Sequence, residues 1–421
     1  MDNLIADVIG DVALVLIVSS LLGALARRLG QPTVIGQIIA GILFGPSLLG
    51  HLPGHLTTRL FPHGALPYLN VIAQVAVSIF MFVVGYELNR KSFRTGYRPA
   101  VLVAVAALLV PMLLGAGSAQ LFKSTYLSLG AHHVNHSFIL FMAVAMSITA
   151  LPVLAAIMRE RGISGTTAGV TATTAAGLMD VTAWIVLAAA LVGTSVKQGR
   201  PWPVALLLII AFAAFMLLAV RPALQWWTSQ PRAVLRNQLP VALGLTLGSA
   251  WVTASLGLHP VFGGLLAGLT MAGNRDGTPN PDVLRPMEDV SSVLLPLFFV
   301  VTGLSVNVTA LGRKAVLILV LVFAIATIGK LVPGYLGARS GGLDKKDSAT
   351  VAALVNTRGL TELIALNIGL TSGLLSTQLF SVLVVMAVLT TLMTSPLLTL
   401  IKPVTMKPRA QNPAAVESKT G

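Results

Sequence analysis

Charge is scarce in this chain, with 14 Asp and Glu and 28 Lys and Arg among 421 residues, so each charged residue within an apolar run is a candidate for chemistry. Asp180 is the sole charge between Thr166 and Thr194. That run is long enough to cross a bilayer, which takes about 20 residues. A charge at mid-membrane costs about 2.5–3.5 kcal/mol on insertion scales and faces a bundle interior or a wet cavity. Thr166, Thr167, Thr171, Thr173, Thr174, Ala175, Ala176 and Gly177 precede it, a composition suited to close helix packing rather than to lipid. We read Asp180 as a functional carboxylate that can hold a proton or a cation. The plainer reading is a structural carboxylate with a buried partner.

Lys330 interrupts an otherwise uncharged run from Ala315 to Ala338. A lysine held inside a membrane needs a counter-charge, and Asp180 is the obvious one; the alternative is a stem that snorkels to the surface. Asn356-Thr357-Arg358-Gly359-Leu360-Thr361-Glu362 places a polar run inside another apolar stretch. Arg358 and Glu362 are four apart and can pair on one helix face, either for function or simply to neutralise each other. Ser147-Ile148-Thr149-Ala150-Leu151-Pro152 disrupts a further stretch, because proline removes a backbone donor. Such a break is tolerated at membrane depth where it contacts protein or lines a cavity. Glu87 is read as an interfacial residue paired locally with Asn89, Arg90 or Lys91, and His132, His133 and His136 as a solvated loop rather than a metal site.

These residues need an all-helical membrane scaffold. The chain is 55% hydrophobic and 10% charged, with mean hydropathy +0.86, which fits an all-α polytopic membrane protein. The net charge of +14 then marks cytoplasmic loops and not a nucleic-acid surface. With no cysteine, disulfides and thiolate metal sites are excluded. Asp2, Asp7 and Asp11 stand where a signal peptide would be basic, and Arg27 and Arg28 follow Ala24-Leu25-Ala26 at once, so a retained first helix is expected.

Apolar runs predict thirteen transmembrane spans, at 8–28, 33–50, 67–87, 98–122, 137–158, 166–195, 203–222, 237–257, 259–273, 288–306, 314–338, 346–370 and 376–401. Only His259-Pro260 separates the eighth from the ninth, so one bent element is the alternative there. With the N-terminus outside, twenty Lys and Arg fall in inner loops and the tail against six outside, which fits the positive-inside rule and puts the C-terminus in the cytoplasm. Residues 1–402 form one transmembrane domain. The polar tail, 403–421, is expected to be disordered.

The two interrupted spans are fifth and twelfth. Interruptions at corresponding positions of two halves point to a transport site built from inverted repeats, here 30–195 and 237–401, with 203–222 as linker. Pro152 precedes Asp180 by nearly the distance at which Gly359 precedes the polar pair Thr390-Thr391. The repeat is inferred from this architecture, without strong identity between the halves. Glycines of the second span, Gly36, Gly41 and Gly45, are read as packing positions.

Several stretches also resemble a known family. Thr149-Ala150-Leu151-Pro152-Val153-Leu154-Ala155, Asp180-Val181-Thr182-Ala183-Trp184, Leu294-Leu295-Pro296-Leu297-Phe298-Phe299 with Thr302-Gly303-Leu304, Gly329-Lys330, and Asn356 to Ile364 are similar to motifs of the second branch of monovalent cation/proton antiporters. The nearest likeness is to the plant and bacterial cation/H+ exchanger subgroup. The resemblance spans roughly residues 8–400. It implies two discontinuous crossing helices, a homodimer, and a mobile core moving against a dimerisation domain. By matching position it makes Asp180 the carrier carboxylate, Lys330 its neighbouring cation and Thr149 an ion ligand, with Pro152, Asn356, Arg358 and Glu362 shaping the crossing. The chain departs from the family at Met179, where the family has an acid or amide. A thioether is a poor ligand for Na+ or K+, and loss of the first carboxylate argues against two-proton exchange.

The expected function is exchange of Na+ or K+ for H+ across the plasma membrane through Asp180, without cofactor, nucleic acid or enzymatic step. No Walker A stretch is present. Alternatives are a carrier of an organic solute or anion, with Arg358 on the substrate, and a non-transporting membrane sensor.

Overall fold

The computed structural model describes residues 2–51, 53, 56–62, 64–88, 97–131, 133–192, 202–228, 238–256, 258–274 and 278–401. The helices are α1 (Asp2–Arg28), α2 (Thr33–Phe44), α3 (Leu56–Leu60), α4 (Leu66–Leu88), α5 (Tyr97–Leu121), α6 (Lys123–Ser128), α7 (His136–Ser147), α8 (Leu151–Glu160), α9 (Thr167–Val192), α10 (Trp202–Phe215), α11 (Arg221–Thr228), α12 (Gln238–Ser255), α13 (Pro260–Thr270), α14 (Pro281–Leu304), α15 (Arg313–Ser340), α16 (Lys345–Val355), α17 (Leu360–Thr371) and α18 (Thr377–Ile401). There is no strand among the described residues. Nine helical stretches among them are long and apolar enough to cross a membrane, and α2 and α13 are shorter apolar helices. Ile5, Ile9, Ile17 and Leu21 of α1 and Leu207, Ile210 and Leu218 of α10 and its continuation are exposed, as a lipid-facing surface requires.

Each of the thirteen apolar runs becomes helix, with informative differences at the ends. The second run stops at Phe44, not 50, because Gly45-Pro46 ends α2 and a residue before proline is disfavoured in helix. The seventh passes through a π-helical turn at Met216–Val220 into α11. The eighth and ninth are two helices, not one bent element: α12 and α13 lie against each other, and a Cβ on Gly263 would run into the Ser249 carbonyl. The tenth starts at Pro281, capped by Asn280 accepting from the Asp282 N–H at 3.0 Å. Its charged first turns, with Arg285, Glu288 and Asp289, look like loop by hydropathy alone.

Packing divides these helices into two bodies. One, the panel, comprises α1, α2, α4 and α10–α14; the other, the core, comprises α5, α7–α9 and α15–α18. The face between them is apolar, with Val77, Phe80 and Met81 of α4 and Phe298 and Phe299 of α14 in one buried cluster with residues of α7, α15, α17 and α18. α2 and α13 are matching elements. Val34, Gly36, Ala40 and Gly41 recur at the same spacing as Val261, Gly263, Ala267 and Gly268. Gly36 sits on the Leu22 carbonyl of α1 as Gly263 does on Ser249 of α12. Gly41 touches α14 at Val300 and Gly303, while Gly268 touches α4 at Phe82 and Tyr86.

Asn89, Arg90, Lys91, Arg94, His132, Lys197, Arg200, Arg232, Arg236, Arg275, Lys402, Lys407, Arg409, Lys419 and the tail 403–421 lie outside the described residues.

Candidate ion-binding site at the helix crossing

Both interrupted spans break where the sequence breaks them. α7 ends at Ser147, Ile148–Ala150 leave the helical conformation, and α8 begins with Pro152 in its first turn, where the missing N–H costs nothing. α16 ends at Val355 and α17 begins at Leu360 after Gly359, whose φ is +156°. Only glycine takes that conformation freely, and a Cβ there would also lie 2.8 Å from Val153 Cγ2 of α8.

The two breaks meet. Ala150 N donates to Thr357 O at 3.0 Å, and the Thr361 hydroxyl donates to Thr149 O at 3.2 Å. α18 braces the second break: Thr391 Oγ1 accepts from Arg358 N at 3.1 Å, and Asn356 Nδ2 donates to Thr390 O at 3.5 Å. Thr390 and Thr391 are thus structural supports of the crossing.

Each half-helix ending at the crossing leaves carbonyls without an intrahelical partner and a partial negative charge. Two fully buried cations answer them. Arg358 Nη1 donates to Ala145 O and to Glu362 Oε1, both at 2.7 Å, and Nη2 donates to Met146 O. Lys330 Nζ donates to Ile148 O at 2.7 Å, to Val355 O at 3.5 Å and to the Thr149 hydroxyl oxygen. Thr149 Oγ1 also lies 3.1 Å from Val355 O.

Asp180 is 2% exposed, and neither of its carboxylate oxygens has a hydrogen-bond partner. The expected ion pair with Lys330 is not formed within 4.0 Å; the ion pair at the crossing is Arg358–Glu362. The hydrogen bonds of Lys330 go instead to the α7 and α16 ends. The reason is geometric, since carbonyls freed by both breaks converge on the ammonium. Met179 is buried, with its sulfur 3.9 Å from Thr149 Oγ1.

The crossing therefore brings together Thr149, Lys330, Asn356, Arg358 and Glu362, with Pro152 setting the start of α8. Asp180 stands in the adjoining helix. Sequence reasoning expected carbonyls freed at the two breaks to serve as ligands without naming them; they are those of Ala145, Met146, Ile148 and Val355, and Arg358 and Lys330 hold them. Their signal was available, because a helix broken by Pro152 or Gly359 must free the carbonyls before the break. His133 is exposed, and no group of three metal-ligating side chains occurs among the described residues.

A membrane-embedded crossing of two broken helices beside a buried, unpaired carboxylate defines a secondary-transporter fold. The chain belongs to the sodium/hydrogen exchanger transmembrane family, whose model matches residues 14–400. It is 35% identical over 398 residues to cation/H(+) antiporter 20 of Arabidopsis thaliana, covering 91% of this chain and 47% of that protein. It is 33% identical to the Na(+)/H(+) antiporter NhaS4 of Synechocystis, covering 95% and 98%, and 30% identical to K(+)/H(+) antiporter 1 of Saccharomyces cerevisiae, covering 93% and 46%. The chain thus spans about half the length of these plant and yeast relatives. In fold it is similar to the sodium proton antiporter MjNhaP1 of Methanocaldococcus jannaschii, with TM-score 0.64 at 15% identity over 94% of this chain and 96% of that one.

Proposed function

We propose that the protein is a secondary active antiporter that exchanges a monovalent cation, Na+ or K+, for H+ at Asp180. The observation that carries this reading is the buried carboxylate with two unpartnered oxygens beside the crossing. Buried polar groups are almost always satisfied, so a bare carboxylate here is an acceptor for a proton or a dehydrated cation, one at a time. That competition couples the two fluxes without a covalent step, and no enzymatic activity is proposed. Thr149 and the freed carbonyls supply oxygen near the site. Lys330, already bonded to them, is a tethered positive charge that offsets Asp180 when neither cargo is bound.

Arg358 would bind substrate if the cargo were an organic anion. Its Nη atoms are committed to Glu362 and to two carbonyls of α7, which favours the cation reading. The proposal places the protein in the plasma membrane as a homodimer, N-terminus outside and C-terminus in the cytoplasm. Repeats 30–195 and 237–401 run in opposite directions around the linker 203–222. The recurrence of the α2 pattern in α13 supports two related halves, and it makes α1 the counterpart of α12, so the first repeat would begin at α1 rather than at residue 30.

The test is a pH-dye assay on purified protein in proteoliposomes, with each alkali cation in turn, with and without an imposed potential. Cation-dependent proton movement is expected. A response to organic acids alone, or no flux from folded protein, would overturn the reading.

A further inference from the structure

Asp180 lies between two unlike stretches of one face of α9. Toward the Thr167 end, Thr173 is exposed and Gly177 half-buried, although Ala176 beside them is buried. Toward the Val192 end, Trp184, Leu187 and Leu191 are all buried. Spacings of three, four and seven put these residues on the face that carries Asp180.

At the Val192 end this face packs on α7 of its own body and also meets the other body. Trp184 belongs to the core and Phe262 to the panel, and their rings meet edge to face, with centroids 5.9 Å apart and planes at 89°. Leu187 and Leu191 share one apolar cluster with Leu258 and Val261, which flank the start of α13. Four residues separate Trp184 from Asp180, so the indole lies one turn nearer the outside in the topology proposed above. At the opposite end the rim is polar. Exposed Glu288 of the panel interacts electrostatically with exposed Arg159 of the core.

We propose that Trp184 and Phe262 form an outer gate over Asp180, a releasable contact between core and panel that keeps external solvent off the carboxylate. An apolar seal of this kind can part without breaking a hydrogen bond. Phe262 is placed for the task by the His259-Pro260 start of α13. Ile35 holds the corresponding position in α2. It lines a small cavity with Val388 and Thr391 of α18, so each half of the chain presents a first-turn apolar side chain to the core. The orientation of the gate rests on the antiporter reading; the gate itself is tested without transport.

The chain has no cysteine, so single thiols can be placed in the full-length protein directly. Leu187→Cys and Thr173→Cys are probed with a membrane-impermeant maleimide in vesicles of either orientation. Leu187→Cys is expected to react slowly from the outside, and Thr173→Cys readily from the cytoplasmic side. Adding Trp184→Ala or Phe262→Ala should speed Leu187→Cys labelling by about two- to tenfold, the shift an edge-to-face aromatic pair supports. Trp184→Phe should restore most of the protection. Because the two alanine variants lie on different bodies, misfolding of one leaves the other to decide, and retained Thr173→Cys labelling reports the fold. Equal labelling of Leu187→Cys with and without the ring pair would overturn the gate. Loss of alkali-cation exchange with the labelling pattern intact would overturn the antiporter reading instead.

Discussion

At the scale of single residues, the crossing is held by cations that answer helix ends. Arg358 has a buried acid beside it and two carbonyls in front, so removing it leaves Glu362 as an uncompensated charge. Arg358→Met should destabilise by about 3–5 kcal/mol, and Arg358→Met with Glu362→Leu by clearly less, since an apolar replacement of both partners is often neutral. Thermal unfolding of the purified variants checks this, and equal losses would contradict it. Lys330→Met should cost about 1–3 kcal/mol for each carbonyl left unsatisfied; an unchanged midpoint would contradict the bonds drawn to Ile148 and Val355. Asp180, Lys330 and the Arg358–Glu362 pair were legible in sequence because charge is so rare there. The separation of Lys330 from Asp180 was not, because hydropathy and spacing carry no information on where freed carbonyls point.

At the scale of elements, close backbone contact at glycine sets how the helices cross. A Cβ on Gly41 would lie 2.6 Å from Val300 O and 2.8 Å from Gly303 Cα, whereas one on Gly10 would meet nothing within 4 Å. Gly41→Ala should therefore destabilise by about 1–3 kcal/mol, as overpacking does, with Gly10→Ala near neutral; comparable melting points for the two would sink the argument. The breaks at Pro152 and Gly359 were legible because both residue types punctuate helices. The start of α14 was not, since Arg285, Glu288 and Asp289 read as loop until the Asn280 cap is seen. The matched pattern of α2 and α13 was present in the letters but is short, and it gains meaning only when both glycines are found against equivalent neighbours.

At the scale of the molecule, two bodies share an apolar face, and few polar links cross it. Gln31 Nε2 of the α1–α2 connection donates to Leu392 O of α18 at 3.4 Å. If exchange requires the core to move against the panel, fixing this contact must stop it. Gln31→Cys with Leu392→Cys, bridged by a short bifunctional thiol reagent, should lose exchange, while each single variant treated alike keeps it. Exchange through bridged protein would show that the bodies need not move. The family resemblance implied two bodies, but which spans belong to each was not legible in the residues, because each body draws spans from both halves of the chain.

The most direct measurement compares wild-type and Asp180→Asn protein in the same proteoliposomes, following proton uptake driven by an outward gradient of Na+ or K+. Wild-type protein should acidify the lumen as cation leaves, and Asp180→Asn, folded and reconstituted to the same level, should stay at the protein-free background. Undiminished exchange in Asp180→Asn would remove the carboxylate from the mechanism and contradict the account at its centre.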